Sequence, residues 1–129
     1  MIPFTLYGQI PSGKNAVIVT RTGHRFPAKR FKEWLSGAML DILQQKFYLQ
    51  SRGQQFPLER PVKLIVNYTP GDLRTRDVSG MADALLHLLE KAGIVKNDGQ
   101  VHELAWIRLR LNREKPGVLL GIAPYKEQS

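Results

Sequence analysis

The stretch that decides the fold is residues 61–101, PVKLIVNYTPGDLRTRDVSGMADALLHLLEKAGIVKNDGQV. It opens with strict alternation. Val62, Leu64, Val66 and Tyr68 oppose Lys63, Ile65 and Asn67, the period of a half-buried strand, and Pro70-Gly71 ends it. From 79 to 92 the period changes to that of a helix. Met81, Ala84, Leu85, Leu88, Leu89 and Ala92 fall on one face, and Gly93 supplies the stop. A polar loop, Lys96-Asn97-Asp98-Gly99, leads into a second strand over 101–111, with Ala105, Ile107, Leu109 and Leu111 opposing Trp106, Arg108 and Arg110.

Working outward, residues 3–10 are rich in β-formers and stop at Pro11-Ser12-Gly13, which predicts a strand entering a loop. A further short strand is expected over Val17–Thr20. Pro27 stands where a helix favours its first residue. The helix it would open carries Phe31, Trp34, Leu35, Ala38, Met39 and Ile42 on one face and frays into the Gln-rich stretch before Gly53. Towards the end, a hairpin turn around Lys115-Pro116-Gly117 is expected to return the chain through Val118–Ala123. The order predicts a single α+β domain over 1–129. It would have two layers, with a mixed sheet of about four or five strands and two helices packed on one face.

Composition narrows the function. The 129 residues carry 19 Lys+Arg against 11 Asp+Glu, a formal charge of +8, which puts a polyanion first among partners and nucleic acid ahead of an anionic membrane. No apolar run approaches the ~20 residues that cross a bilayer, and the amino terminus lacks the pattern of a secretory signal. Cysteine is absent, which removes disulfides, thiolate nucleophiles and cysteine-ligated zinc, and fits a cytoplasmic setting. No Gly-rich phosphate loop or nucleophile elbow is present, so a nucleotide cofactor and α/β-hydrolase chemistry are not expected. His24, His87 and His102 lack ligand spacing for zinc.

The charge is uneven. Residues 72–103 hold six acids and four bases, a net of −2, and the other 97 residues hold 15 bases and five acids, a net of +10. Carboxylates inside a phosphate-binding protein make sense if a divalent cation inverts the local sign. They make equal sense as helix caps and turn residues balanced by neighbouring bases. Asp77 stands at the helix mouth, Asp83 lies four residues after Ser79 on the same face, and Asp98 lies in the loop beyond. Spacing alone leaves both readings open.

The same segment resembles the hallmark region of the RusA family of Holliday-junction resolvases. In that family Arg-Asp-x-Asp-Asn opens a helix ending in Lys-Ala-Gly, and a loop carries Asp-Asp-x-Gln-Val. Here Arg76-Asp77 resembles the opening, Lys91-Ala92-Gly93 the helix end and Asn97-Asp98-Gly99-Gln100-Val101 the loop. Pro11-Ser12-Gly13-Lys14-Asn15 resembles the family's Pro-Ser-x-x-Asn after the first strand.

The resemblance implies a homodimeric, Mg²⁺-dependent (or Mn²⁺-dependent) endonuclease resolving four-way DNA junctions in recombination and repair. Its metal-binding acids map onto Asp77 and Asp98. Three positions depart from the pattern: Ser79 replaces an aspartate, Gly80 an asparagine and Asp83 a lysine. One reading moves the missing carboxylate one helical turn, so that Asp77, Asp83 and Asp98 form the catalytic, metal-binding set, with Asp72 as a further candidate. The other leaves an impaired module that binds branched DNA without cutting it. Lys14, Asn15, Arg25, Lys29, Arg74, Arg76 and Lys96 are the candidate DNA contacts, the arginines suited to bidentate phosphate binding.

Overall fold

Eight residues of alternating pattern make Val62–Thr69 (β4) the centre of the sheet, with Val62, Leu64, Val66 and Tyr68 buried and the residues between them half-buried. The computed structural model describes residues 1–12, 17–19, 25–27 and 29–127. Its elements, in chain order, are β1 (Ile2–Tyr7), β2 (Val17–Val19), β3 (Arg25–Pro27), α1 (Lys29–Ser51), β4, α2 (Val78–Lys91), a single 3-10 turn at Asp98–Gln100, β5 (Val101–Arg108) and β6 (Gly117–Pro124). The main sheet has the order β1-β6-β4-β5, and β2 and β3 form a separate antiparallel pair. β6 runs antiparallel to both β1 and β4, while β5 runs parallel to β4. The fold is α+β, with two helices and a four-stranded mixed sheet.

Register places Phe4, Leu120 and Val66 side by side, with Leu6, Val118 and Tyr68 in the next row. This face and the buried stripes of the two helices make one core. Phe31, Leu35, Ala38 and Ile42 come from α1, and Met81, Ala84, Leu85, Leu88 and Leu89 from α2. The opposite face of the sheet carries exposed Tyr7, Leu119 and Ile107.

Three expectations are corrected. Pro27 does not open the helix; it ends β3, and α1 starts at Lys29. α1 also runs through the Gln-rich stretch to Ser51, because its polar residues there have partners. The Gln45 side chain accepts from the Thr5 amide and donates to the Thr5 carbonyl, both at 2.7 Å, closing the free edge of β1. Lys46 Nζ donates to the Ala92 carbonyl at 2.9 Å, at the end of α2. Finally, β5 and β6 are not a hairpin, since β6 lies between β1 and β4 and the 109–116 connection crosses the end of β4. Leu109 N donates to Tyr68 O (2.7 Å) and Asn112 N to Pro70 O (2.9 Å) along that crossing. Leu104 and Trp106 pack on the core, while Ile107 and Leu109 are exposed.

Candidate functional site

The site segment begins where β4 ends. Pro70 cannot continue a ladder, and the chain turns at Gly71, whose amide donates to Gln9 Oε1 at 2.7 Å. Gln9 Nε2 in turn donates to the Tyr68 hydroxyl at 2.7 Å, so one side chain fixes both the strand end and the loop start. Within the loop, Asp72 takes a bidentate pair from Arg76, at 2.6 and 3.0 Å, and a third bond from the Arg74 amide at 2.9 Å. The Arg76 hydrogen bond, assisted by the Arg74 amide, holds the Asp72 carboxyl down at about 2. The same contact raises the Arg76 guanidinium above its ordinary value. Asp72 is thus engaged as the loop's internal counter-ion.

Asp77 is the N-cap of α2, with extended backbone and a carboxylate that accepts from the Ser79 amide at 3.2 Å. The Ser79 hydroxyl lies 3.0 Å from both carboxylate oxygens. Ser79, one of the three departures from the resembled pattern, is therefore the residue that holds Asp77. Asp83 is exposed on the second turn of the helix. At the far end Gly93 adopts φ +71°, which a side chain rarely tolerates, and its amide bonds back to Glu90 O at 3.1 Å.

Beyond α2 the loop is organised by Gln100. Its Oε1 accepts from the amides of Lys96 (2.7 Å) and Asn97 (3.1 Å), and its Nε2 donates to the carbonyls of Leu58 (2.6 Å) and Arg60 (3.2 Å). Gln100 thereby ties the 96–100 turn to the strand-entry segment and presents Asp98, exposed, at the turn's first position. Lys96 Nζ lies 2.9 Å from Glu59, and Lys29 Nζ lies 3.8 Å from Glu33. Lys14 and Asn15 lie outside the described residues, as does the side chain of Arg25.

A divalent ion of the Mg²⁺ type needs hard oxygen donors brought together. Asp77, Asp83 and Asp98 are the right donor type, but among the described residues no three His, Cys, Asp or Glu side chains are grouped closely enough to hold a metal ion. In this arrangement the three acids are not gathered around one point, so a shared ion would require Asp77 to leave Ser79 and the acid-bearing segments to approach one another. Asp77 is turned to Ser79, and Asp83 and Asp98 stand in solvent on separate elements.

What the loop does build is a cleft of about 350 Å³. Tyr68 and Trp106 line it, their ring centroids 5.6 Å apart, together with Met81 from the second turn's start in α2. Leu73 and Val78 line it too, although both are exposed, and so do three arginines, Arg74, Arg76 and Arg108. Among the described residues Arg74 and Arg108 have no ion-pair partner. The alternation of residues 101–111 leaves open which face of β5 packs inward, so this cleft is not legible in the sequence. The inward Trp106, next to Val66 in register, is what brings Arg108 round to the loop.

No family model matches the chain. Over 112 residues, 87% of this chain and 82% of the relative, it is 25% identical to the crossover junction endodeoxyribonuclease RusA of Aquifex aeolicus (strain VF5). A match of that length in 129 residues necessarily runs through the helix mouth at Asp77 and the turn at Asp98. With sequence similarity over most of both chains, this protein is a distant homologue of the RusA crossover junction endodeoxyribonuclease.

Proposed function

We propose that this chain acts on four-way DNA junctions as a divalent-metal-dependent endonuclease, with Asp77 and Asp98 as primary ligand candidates and Asp83 as the third. The observation that carries the reading is the RusA homology, which runs through both acid-bearing segments. The +10 charge outside residues 72–103 supports it as a phosphate-binding surface. A bound Mg²⁺ or Mn²⁺ would supply Lewis-acid chemistry for phosphodiester hydrolysis. The chain's own contribution is to hold flanking phosphates with Arg74 and Arg108 and to free the Asp77 carboxylate from Ser79. A twofold-related pair of chains would offer one site to each of two opposed strands, matching the symmetry of the junction.

The test is cleavage of an end-labelled four-way junction in Mg²⁺ or Mn²⁺. Paired nicks that disappear in Asp77→Asn are expected. Clean protein that binds the junction and cuts it under neither metal overturns the endonuclease reading.

A second reading is favoured by two features, the three hydrogen bonds from Ser79 to Asp77 and the dispersed acids. In it the chain binds branched DNA without cutting. It predicts junction binding indifferent to Asp83→Ala and a gain of cleavage in Ser79→Asp.

A further inference from the structure

The cleft beside the Asp77 cap has the wrong lining for a bare phosphate and the wrong charge for an apolar ligand. Its lining includes two aromatic residues, Trp106 and Tyr68, with ring centroids 5.6 Å apart, and Met81. The lining also includes Leu73, 72% exposed, and Val78, 47% exposed, two apolar side chains left in water. Arg108 and Arg74, both exposed, line it with no ion-pair partner among the described residues. At about 350 Å³ it falls at the small end of the roughly 300–1,000 Å³ range typical of small-molecule sites.

A flat π-system attached to phosphates satisfies every part of that lining. A base stacks on aromatic faces irrespective of its identity, and guanidinium groups pair with the phosphates on either side of it. We propose that the cleft receives one unstacked nucleobase of the bound DNA, packed against Trp106, with Arg74 and Arg108 on its flanking phosphates. This rests on the junction reading above, and it assigns to this cleft the capture of a base from the crossover, where pairing is weakest and extrusion costs least. The position suits the reaction: the cleft is walled by the first residues of α2, immediately after Asp77, so a base held there fixes the adjoining backbone at the helix mouth.

The experiment uses the full chain with Trp34→Phe, which leaves Trp106 as the sole tryptophan. A synthetic four-way junction is added in EDTA, so that nothing is cut. Anisotropy of a distal dye on the junction reads binding, and tryptophan emission reads the cleft. Strong quenching is expected with the junction and not with an uninterrupted duplex. It should vanish when one particular crossover nucleotide is replaced by an abasic site. Trp106→Ala should weaken junction binding roughly tenfold or more. Because that variant removes a partly buried ring, Arg108→Glu provides an exposed alternative. At saturating protein it should bind with the quenching lost. Binding without quenching, or quenching identical across every abasic position, overturns the cleft assignment and leaves the junction reading standing. Absence of binding to the junction overturns both.

Discussion

Asparagine caps a helix as well as aspartate does, and this makes Asp77 an informative position. In Asp77→Asn the acceptor for the Ser79 amide persists and only the charge is lost, so stability should stay close to the parent while any cleavage disappears. Asp77→Ala removes the acceptor as well and should cost about 1 kcal/mol, within the roughly 0.5–2 kcal/mol seen for N-caps, by urea denaturation. The Asp72–Arg76 pair gives a second residue-scale prediction. The folded-state pKa of Asp72 is depressed to about 2, so its stabilisation of the loop is complete above the ordinary carboxylate range. That stabilisation is lost as the pH falls through about 2. Carboxyl NMR titration should give a midpoint near 2, rising toward the ordinary carboxylate range in Arg76→Ala while the Arg74 amide bond still holds it below that range. A midpoint unmoved by that substitution contradicts the pairing. The sequence disclosed which acids occupy the helix mouth and the turn, since those places follow from local pattern. It did not disclose their partners. Asp72 meets Arg76 and Asp77 meets Ser79 through side-chain rotamers that residue spacing leaves free.

β4 and α2 were legible because each has one buried face, and a single buried face writes its period into the sequence. Which face of β5 packs inward was not legible, for a related reason. The strand lies at the sheet edge with partly exposed residues on both faces, so its alternation holds two nearly equal apolar stripes, and only the neighbouring Val66 decides that Trp106 goes inward. The β6 position was hidden too, because pairing with β1 and β4 instead of β5 is a matter of long-range register. That register can be tested with two glycines of β6. A Cβ on Gly117 would run into the Leu6 backbone carbonyl, which cannot move without opening the β1–β6 ladder. A Cβ on Gly121 would meet only the Met1 side chain, its sulfur nearest, which is flexible. Gly117→Ala should therefore cost about 1–3 kcal/mol, the usual range for forced overpacking, and Gly121→Ala much less. Equal losses in urea melts would mean that β6 does not sit against β1 as described.

At the scale of the whole molecule, charge that is already paired should count for less on DNA than charge that is free. Every neutralised phosphate releases counter-ions and adds about 0.9 to the slope of log K against log salt. The +8 chain has cations enough for a steep slope, but they are not equivalent. Arg76 meets Asp72 through two hydrogen bonds and is largely withdrawn from solvent, with 13% of its side chain exposed. To reach a phosphate it would have to abandon a charge-assisted bidentate contact for one of similar kind. Arg108 sits exposed at the cleft with no such partner among the described residues. Junction binding followed by anisotropy across a salt series should thus show Arg108→Ala lowering the slope by about 1, the signature of one lost phosphate contact. Arg76→Ala should leave the slope nearly unchanged, because Arg76 is held by Asp72 and has no phosphate contact to lose. If the two variants flatten the salt dependence equally, Arg76 turns outward on the DNA and the Asp72 pair is a resting arrangement of the free protein.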